Sequence, residues 1–126
     1  MKKALFLGLG VLVVVAGAMM AFLLVGQGAI LEMDIADVAI SDISDATYRG
    51  SFESGRWSNE VEVTVKDQRM TSIIVTRDVL FRRDEVSQEL FDRMIEAQSV
   101  VVDAVSGATV TSRAYMKAVE DALTQD

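Results

Sequence analysis

The ten residues Asp103-Ala104-Val105-Ser106-Gly107-Ala108-Thr109-Val110-Thr111-Ser112 concentrate the side chains of this sequence that could do chemistry. Four hydroxyls surround one glycine, and a carboxylate stands at the leading end. The chain has no Cys and no His. Disulfides and thiol-based redox chemistry are therefore excluded, and the usual zinc and transition-metal ligands are missing. What remains for this stretch is hydroxyl and backbone chemistry. It precedes an amphipathic pattern of helical period, and a helix start offers free N–H groups and the positive end of the helix dipole. Gly107 and Ala108 allow close approach of the backbone. Ser106, Thr109, Thr111 and Ser112 can cap the helix or donate to an anion. The residues alone leave two readings open: a tight turn with a helix cap, or a cradle for a phosphate.

The elements that must position this stretch follow from periodicity. Glu60-Val61-Glu62-Val63-Thr64-Val65-Lys66 alternates strictly and reads as a half-buried strand. Lys66 to Arg69 reads as a turn, and Met70 to Thr76 as a partner strand with Ile73 and Val75 on one face. An earlier strand signal begins at Thr47, with Tyr48 and Phe52 flanking Gly50 and a turn at Ser54-Gly55. Glu85 to Gln98 has helical spacing, with Val86, Leu90, Phe91, Met94, Ile95 and Ala97 near one stripe and Glu89 and Arg93 as an i,i+4 pair. Ser99 to Val105 reads as extended. A last helix is expected from Ser112 to Leu123, its apolar side made by Tyr115, Ala118, Val119, Ala122 and Leu123, with Glu120 and Asp121 facing water. The expected class is α+β, a small antiparallel sheet with packed helices.

The N-terminal third is of another kind. Ala4 to Val25 is a run of 22 uncharged residues, about 33 Å at helical rise, enough to cross a bilayer core. Lys2 and Lys3 precede it, and Glu32, Asp34 and Asp37 follow, which predicts the N-terminus inside and the C-terminus outside. The run is longer than the apolar region of a cleaved signal peptide, and no clean A-x-A site follows it. The expected organisation is therefore a transmembrane anchor over residues 1–26, a juxtamembrane connector over 27–46 that is helical or extended, and a domain over 47–126. Beyond the two N-terminal lysines, ten Lys and Arg stand against 19 Asp and Glu, a balance of −9. This argues against nucleic-acid binding and disfavours adhesion to anionic lipid surfaces. Asp42, Asp45 and Glu53 read as a solvated face, and no EF-hand spacing is present.

The stretch Asp103 to Ser112 resembles the signature of the FMN-binding domain family. Members carry flavin in sodium-pumping NADH:quinone reductases and Rnf-type electron-transport complexes, and in regulators linked to nitrous oxide respiration. The resemblance extends over about Thr47 to Leu123, and Gln98-Ser99 is similar to the family's lead-in. It implies that a flavin transferase uses FAD to attach FMN covalently, by a phosphoester, to Thr109. Ser106, Gly107, Ala108, Thr111 and Ser112 are then the other cofactor-binding residues, and Asp103 is read by the transferase. A His and Pro-Gly segment found in many members is replaced here by Asp78-Val79-Leu80-Phe81-Arg82-Arg83. Trp57, Phe81 and Tyr115 are the aromatic candidates for the flavin ring, and Arg56, Arg82 and Arg83 the cationic ones; core packing and a solvated surface are their ordinary roles. The resemblance implies an anchored extracytoplasmic electron carrier acting with membrane or extracytoplasmic redox partners, rather than a complete enzyme. The alternatives are a non-redox anchored binding or scaffold domain, and a flavin-dependent reductase of a small exported substrate.

Overall fold

The computed structural model describes residues 2–24 and 26–124. The first element, α1 (Lys2–Leu24), buries none of its side chains and is long and apolar enough to cross a membrane. A short helix α2 (Gln27–Glu32) follows. The chain then runs extended to a 3-10 turn at Ile40–Asp42, and a second such turn, Gly55–Trp57, joins the first two strands. Three strands come next, β1 (Ala46–Phe52), β2 (Asn59–Lys66) and β3 (Arg69–Arg77), and then two helices, α3 (Asp84–Ala97) and α4 (Thr109–Thr124). The architecture is the expected α+β, with an antiparallel sheet of order β1-β2-β3.

The sheet follows from the alternation in β2. Val61, Val63 and Val65 are fully buried on the inner face, while Glu62 and Thr64 lie on the other. Across from Glu62 stands Arg49 of β1, and their side chains bond at 2.6 Å. Asp67 and Gln68 both take positive φ, so the β2–β3 connection is a tight two-residue hairpin closed by Lys66 opposite Arg69. Gln98, just after α3, seals the edge of β3 at Met70. It accepts the Met70 N–H at 2.7 Å and donates to the Met70 carbonyl at 2.9 Å, as a fourth strand would.

Helix α4 lies on the inner face with Ala114, Tyr115, Met116, Ala118, Val119, Ala122 and Leu123 buried. Phe91 of α3 meets Tyr115 edge-on, with ring centroids 5.4 Å apart. Ala97 is exposed rather than part of the α3 stripe, because the helix ends there and Gln98 turns the chain away in a left-handed conformation. Helix α4 packs on β1 at backbone distance. A Cβ on Gly50 would fall 2.2 Å from the Ala118 carbonyl oxygen and 2.3 Å from the Ala122 nitrogen. Only glycine admits the helix this close.

Two sequence expectations change here. Helix α4 begins at Thr109, a turn before Ser112, since Thr-Val-Thr carries no apolar stripe but is held by the turn that precedes it. Glu120 and Asp121 do not simply face water. Glu120 accepts the Ala36 N–H at 2.9 Å and Asp121 accepts the Ser51 N–H at 2.9 Å. The first of these bonds is one of a series that fixes the connector along α4. Arg113 donates to the carbonyls of Ile30, at 2.8 Å, and of Met33; Lys117 donates to the Asp34 carbonyl at 3.1 Å. Ile30 and Ile40 of the connector are buried in the core. Asp37 closes the far end, accepting from the Val100 N–H and the Ser99 hydroxyl. Partial burial pushes the Asp37 carboxyl up, but the donors at Val100, Ser99 and Val38 outweigh this and hold it below its ordinary value.

Gly50→Ala is expected to cost about 2–3 kcal/mol, since backbone of α4 rather than a flexible side chain must move. Thermal melts should show Tm lowered by roughly 10–20 °C; an unchanged melt would contradict the packing described.

Candidate functional site

The motif is built as a clasped turn leading into a helix. Val105 is buried, and both its backbone groups are used: its carbonyl accepts the Ala108 N–H at 2.9 Å, and its N–H donates to the Ser112 hydroxyl at 3.1 Å. Gly107 occupies the third position of this turn with φ +77, the conformation that favours glycine, and a Cβ there would meet nothing within 4 Å. Its need is therefore conformational rather than spatial. The first helical bond of α4 runs from the Ser112 N–H to the Ala108 carbonyl at 2.9 Å.

Ala108 thus stands at the N-cap, where a side-chain oxygen usually satisfies the first N–H groups. It has none to give. The helix itself provides no partner for the N–H groups of Thr109, Val110 and Thr111. Among the described residues, the hydroxyls of Ser106, Thr109 and Thr111 make no hydrogen bond; Ser106 and Thr109 are exposed and Thr111 is half-buried. The structure therefore separates the four hydroxyls. Three are unengaged around the helix start, and Ser112 is fully buried and committed to the turn.

Thr109 lies on a ridge between two clefts. One, of about 480 Å³, is lined by Gln27, Leu31, Arg56, Trp57 and Gly107 to Thr111. The other, of about 340 Å³, is lined by the connector at Met33 to Ile35, by Val101 to Ala104, and by Thr109, Arg113 and Met116. Asp103 belongs to the second; its side chain is exposed, and Arg93 holds the backbone beside it by donating to the Asp103 and Ala104 carbonyls at 3.0 and 3.3 Å. Arg93 was visible in the sequence only as the partner of Glu89, a bond it also makes, at 2.7 Å.

The aromatic and cationic candidates divide in the same way. Trp57 lines the first cleft and is buried, and its indole N–H has no partner. The Arg56 guanidinium stacks 4.1 Å from the Trp57 ring centroid and 5.6 Å from that of Phe81. Arg83 reaches the Gly107 carbonyl at 3.4 Å, whereas Arg82 stands 3.9 Å from Asp84 on an exposed surface. Tyr115 is not brought to the motif. It packs in the core, its hydroxyl donates to Asp78, and burial followed by that carboxylate pushes its pKa far above the ordinary phenol value. Gln27 and Leu31, which sequence reading assigned only to a connector, are part of the cleft wall.

The FMN-binding domain family matches residues 55–124, from the turn before Trp57 to the end of α4. The chain belongs to the FMN-binding domain family. No curated protein and no solved structure gives a significant match. Flavin binding is what membership of this family suggests, and the residues present fit the group. The open helix start suits a phosphate, and the first cleft has a size ordinary for small-molecule sites, roughly 300–1,000 Å³. The Arg56 guanidinium on its wall, held over the buried Trp57 ring, suits a planar ring with a polar, electron-accepting edge.

Ser112→Ala is expected to destabilise the unmodified FMN-binding domain by about 1–3 kcal/mol, because it leaves the buried Val105 N–H without an acceptor. Ser106→Ala, at an exposed hydroxyl, should change stability by less than about 0.5 kcal/mol. Thermal melts of the two variants check the division; equal losses would contradict it.

Proposed function

We propose that this protein is a membrane-anchored, extracytoplasmic electron carrier holding FMN through a phosphoester on Thr109. The observation that carries the reading is the Thr109 hydroxyl itself: exposed, without a partner, at the first position of α4 and on the edge of the Arg56–Trp57 cleft. FMN supplies reversible one- and two-electron chemistry that a chain without Cys or His lacks. The protein's own residues do the rest.

In the attachment step, the Thr109 oxygen bonds to the phosphorus on the riboflavin side of FAD. The pyrophosphate P–O bond breaks, AMP leaves, and the hydroxyl proton is lost. An FAD-dependent flavin transferase is the partner this step requires, with Asp103 as the residue it reads. The N–H groups of Thr109, Val110 and Thr111 and the positive end of α4 would hold the phosphate's charge. Gly107, at φ +77, makes the turn that presents this helix start. Arg56 places a cation beside the cleft, which favours a more negative, reduced cofactor, and the buried Trp57 ring holds that guanidinium in place by stacking. Lys2 and Lys3 on the inner side of α1, with no further basic residue before Arg49, support an outward-facing domain. A covalent link would keep the cofactor from being lost there.

Two outcomes test this. Co-expressed with a flavin transferase, the wild-type protein and Thr111→Val should each give a fluorescent band in a denaturing gel, and Thr109→Val should give none; a fluorescent Thr109→Val band would refute the assignment. In the flavinylated protein, Arg56→Gln should lower the reduction potential by tens of millivolts, while Asp34→Asn, on the second cleft, should leave it unchanged. The opposite pattern, with Asp34→Asn raising the potential, would put the ring in the other cleft.

A further inference from the structure

The β3–α3 loop has an unusual tip. Leu80 and Phe81 are adjacent, large and apolar, and they are 57% and 60% exposed. Arg82 and Arg83 follow directly. Single exposed apolar side chains are ordinary on a soluble surface, but a protruding pair is not required by this core. Val79, the residue before them, supplies the loop's buried contact.

The position of this tip gives it meaning. The Leu80 N–H donates to the Arg56 carbonyl at 2.8 Å, and the Arg56 guanidinium lies against the Phe81 ring. The same side chain donates from Nε to the Leu23 carbonyl at 3.1 Å, next to the last residue of α1. Arg56 therefore ties the loop tip to the end of the apolar helix. If α1 crosses the bilayer, its end lies at headgroup depth, and side chains one arginine's length away lie at that depth too. Leu31, 44% exposed on α2, is a further exposed apolar side chain beside Arg56, on the wall of the same cleft. Leu and Phe flanked by guanidinium groups make the composition that settles at the boundary of headgroups and acyl chains, where Arg meets phosphate.

We propose that Leu80 and Phe81 insert into the bilayer interface as a second membrane contact, beside the spanning helix. The proposal rests on the reading of α1 as a membrane span and is independent of the flavin. The domain's acidic balance does not oppose it. Asp84 and Glu85 at the start of α3 offset Arg82 and Arg83, so the contact is driven by apolar insertion and needs no anionic lipid. Two contacts fix an orientation where one helix would leave the domain free to swivel. Arg56 lines the motif cleft and Arg83 reaches Gly107, so the docked loop turns that cleft toward the bilayer surface.

The absence of Cys makes the test direct. Val14→Cys, Leu80→Cys, Phe81→Cys and Arg69→Cys are each made in the full chain, nitroxide-labelled and placed in phosphatidylcholine nanodiscs. Arg69 starts β3 at the end of the sheet opposite the loop, about 26 Å along the strand from Arg77. Collision with oxygen should exceed collision with a water-soluble nickel chelate at 14, 80 and 81, and the order should reverse at 69. Water-like values at 80 and 81 with a lipid-like value at 14 would overturn the loop contact and leave the spanning helix standing. A water-like value at 14 would overturn the spanning reading and the loop contact together.

Discussion

The contact between Gly50 and the backbone of α4 governs the rest of this structure. Because a strand residue without a side chain meets Ala118 and Ala122 directly, α4 is seated on β1 at backbone distance. That seating fixes the helix axis, and with it the place of everything α4 carries. At its start are Thr109 and the open N–H groups. Along its flank are Arg113, Lys117 and Glu120, which hold the connector through backbone carbonyls and one N–H. The same helix therefore positions the candidate attachment residue and binds the segment arriving from α1.

This coupling changes how the domain relates to its N-terminal helix. A flexible tether would leave the motif free to tumble over the membrane surface. Here Ile30 and Ile40 are core residues, and Gln27 and Leu31 line the same cleft as Thr109. The connector is thus part of the site's wall. Removing it would strip one side of the cleft and expose the apolar residues it covers, so truncation at the apparent domain edge is not a neutral act.

Much of the sheet was legible because period-two alternation is a local signal, and Val61, Val63 and Val65 sit where it puts them. The α3 stripe was legible for the same reason, up to Ala97, where the helix ends. The start of α4 was misplaced because Thr109 to Thr111 has no apolar stripe, and the turn that launches the helix is closed by Ser112 from within. The meaning of Gly50 could not be read from its neighbours, since its partner lies 68 positions later. Glu120 and Asp121 looked solvated because their ligands are backbone N–H groups of distant segments, which leave no trace in local composition. The motif's resemblance to its family was legible, but not the division of its hydroxyls into three unengaged and one buried. That division depends on Val105 being inside.

The proposed bond to the cofactor is made by one hydroxyl among several within a few residues. Trypsin should release Met94 to Arg113 as a single peptide containing the whole motif, because no Lys or Arg lies between Arg93 and Arg113. Electron-transfer fragmentation of that peptide, from protein made with a flavin transferase, locates the added mass of one FMN less one water. The increment should appear in every fragment containing Thr109 and in none lacking it. An increment that maps to Ser106, Thr111 or Ser112, or an unmodified peptide from protein exposed to a competent transferase, would contradict attachment at Thr109.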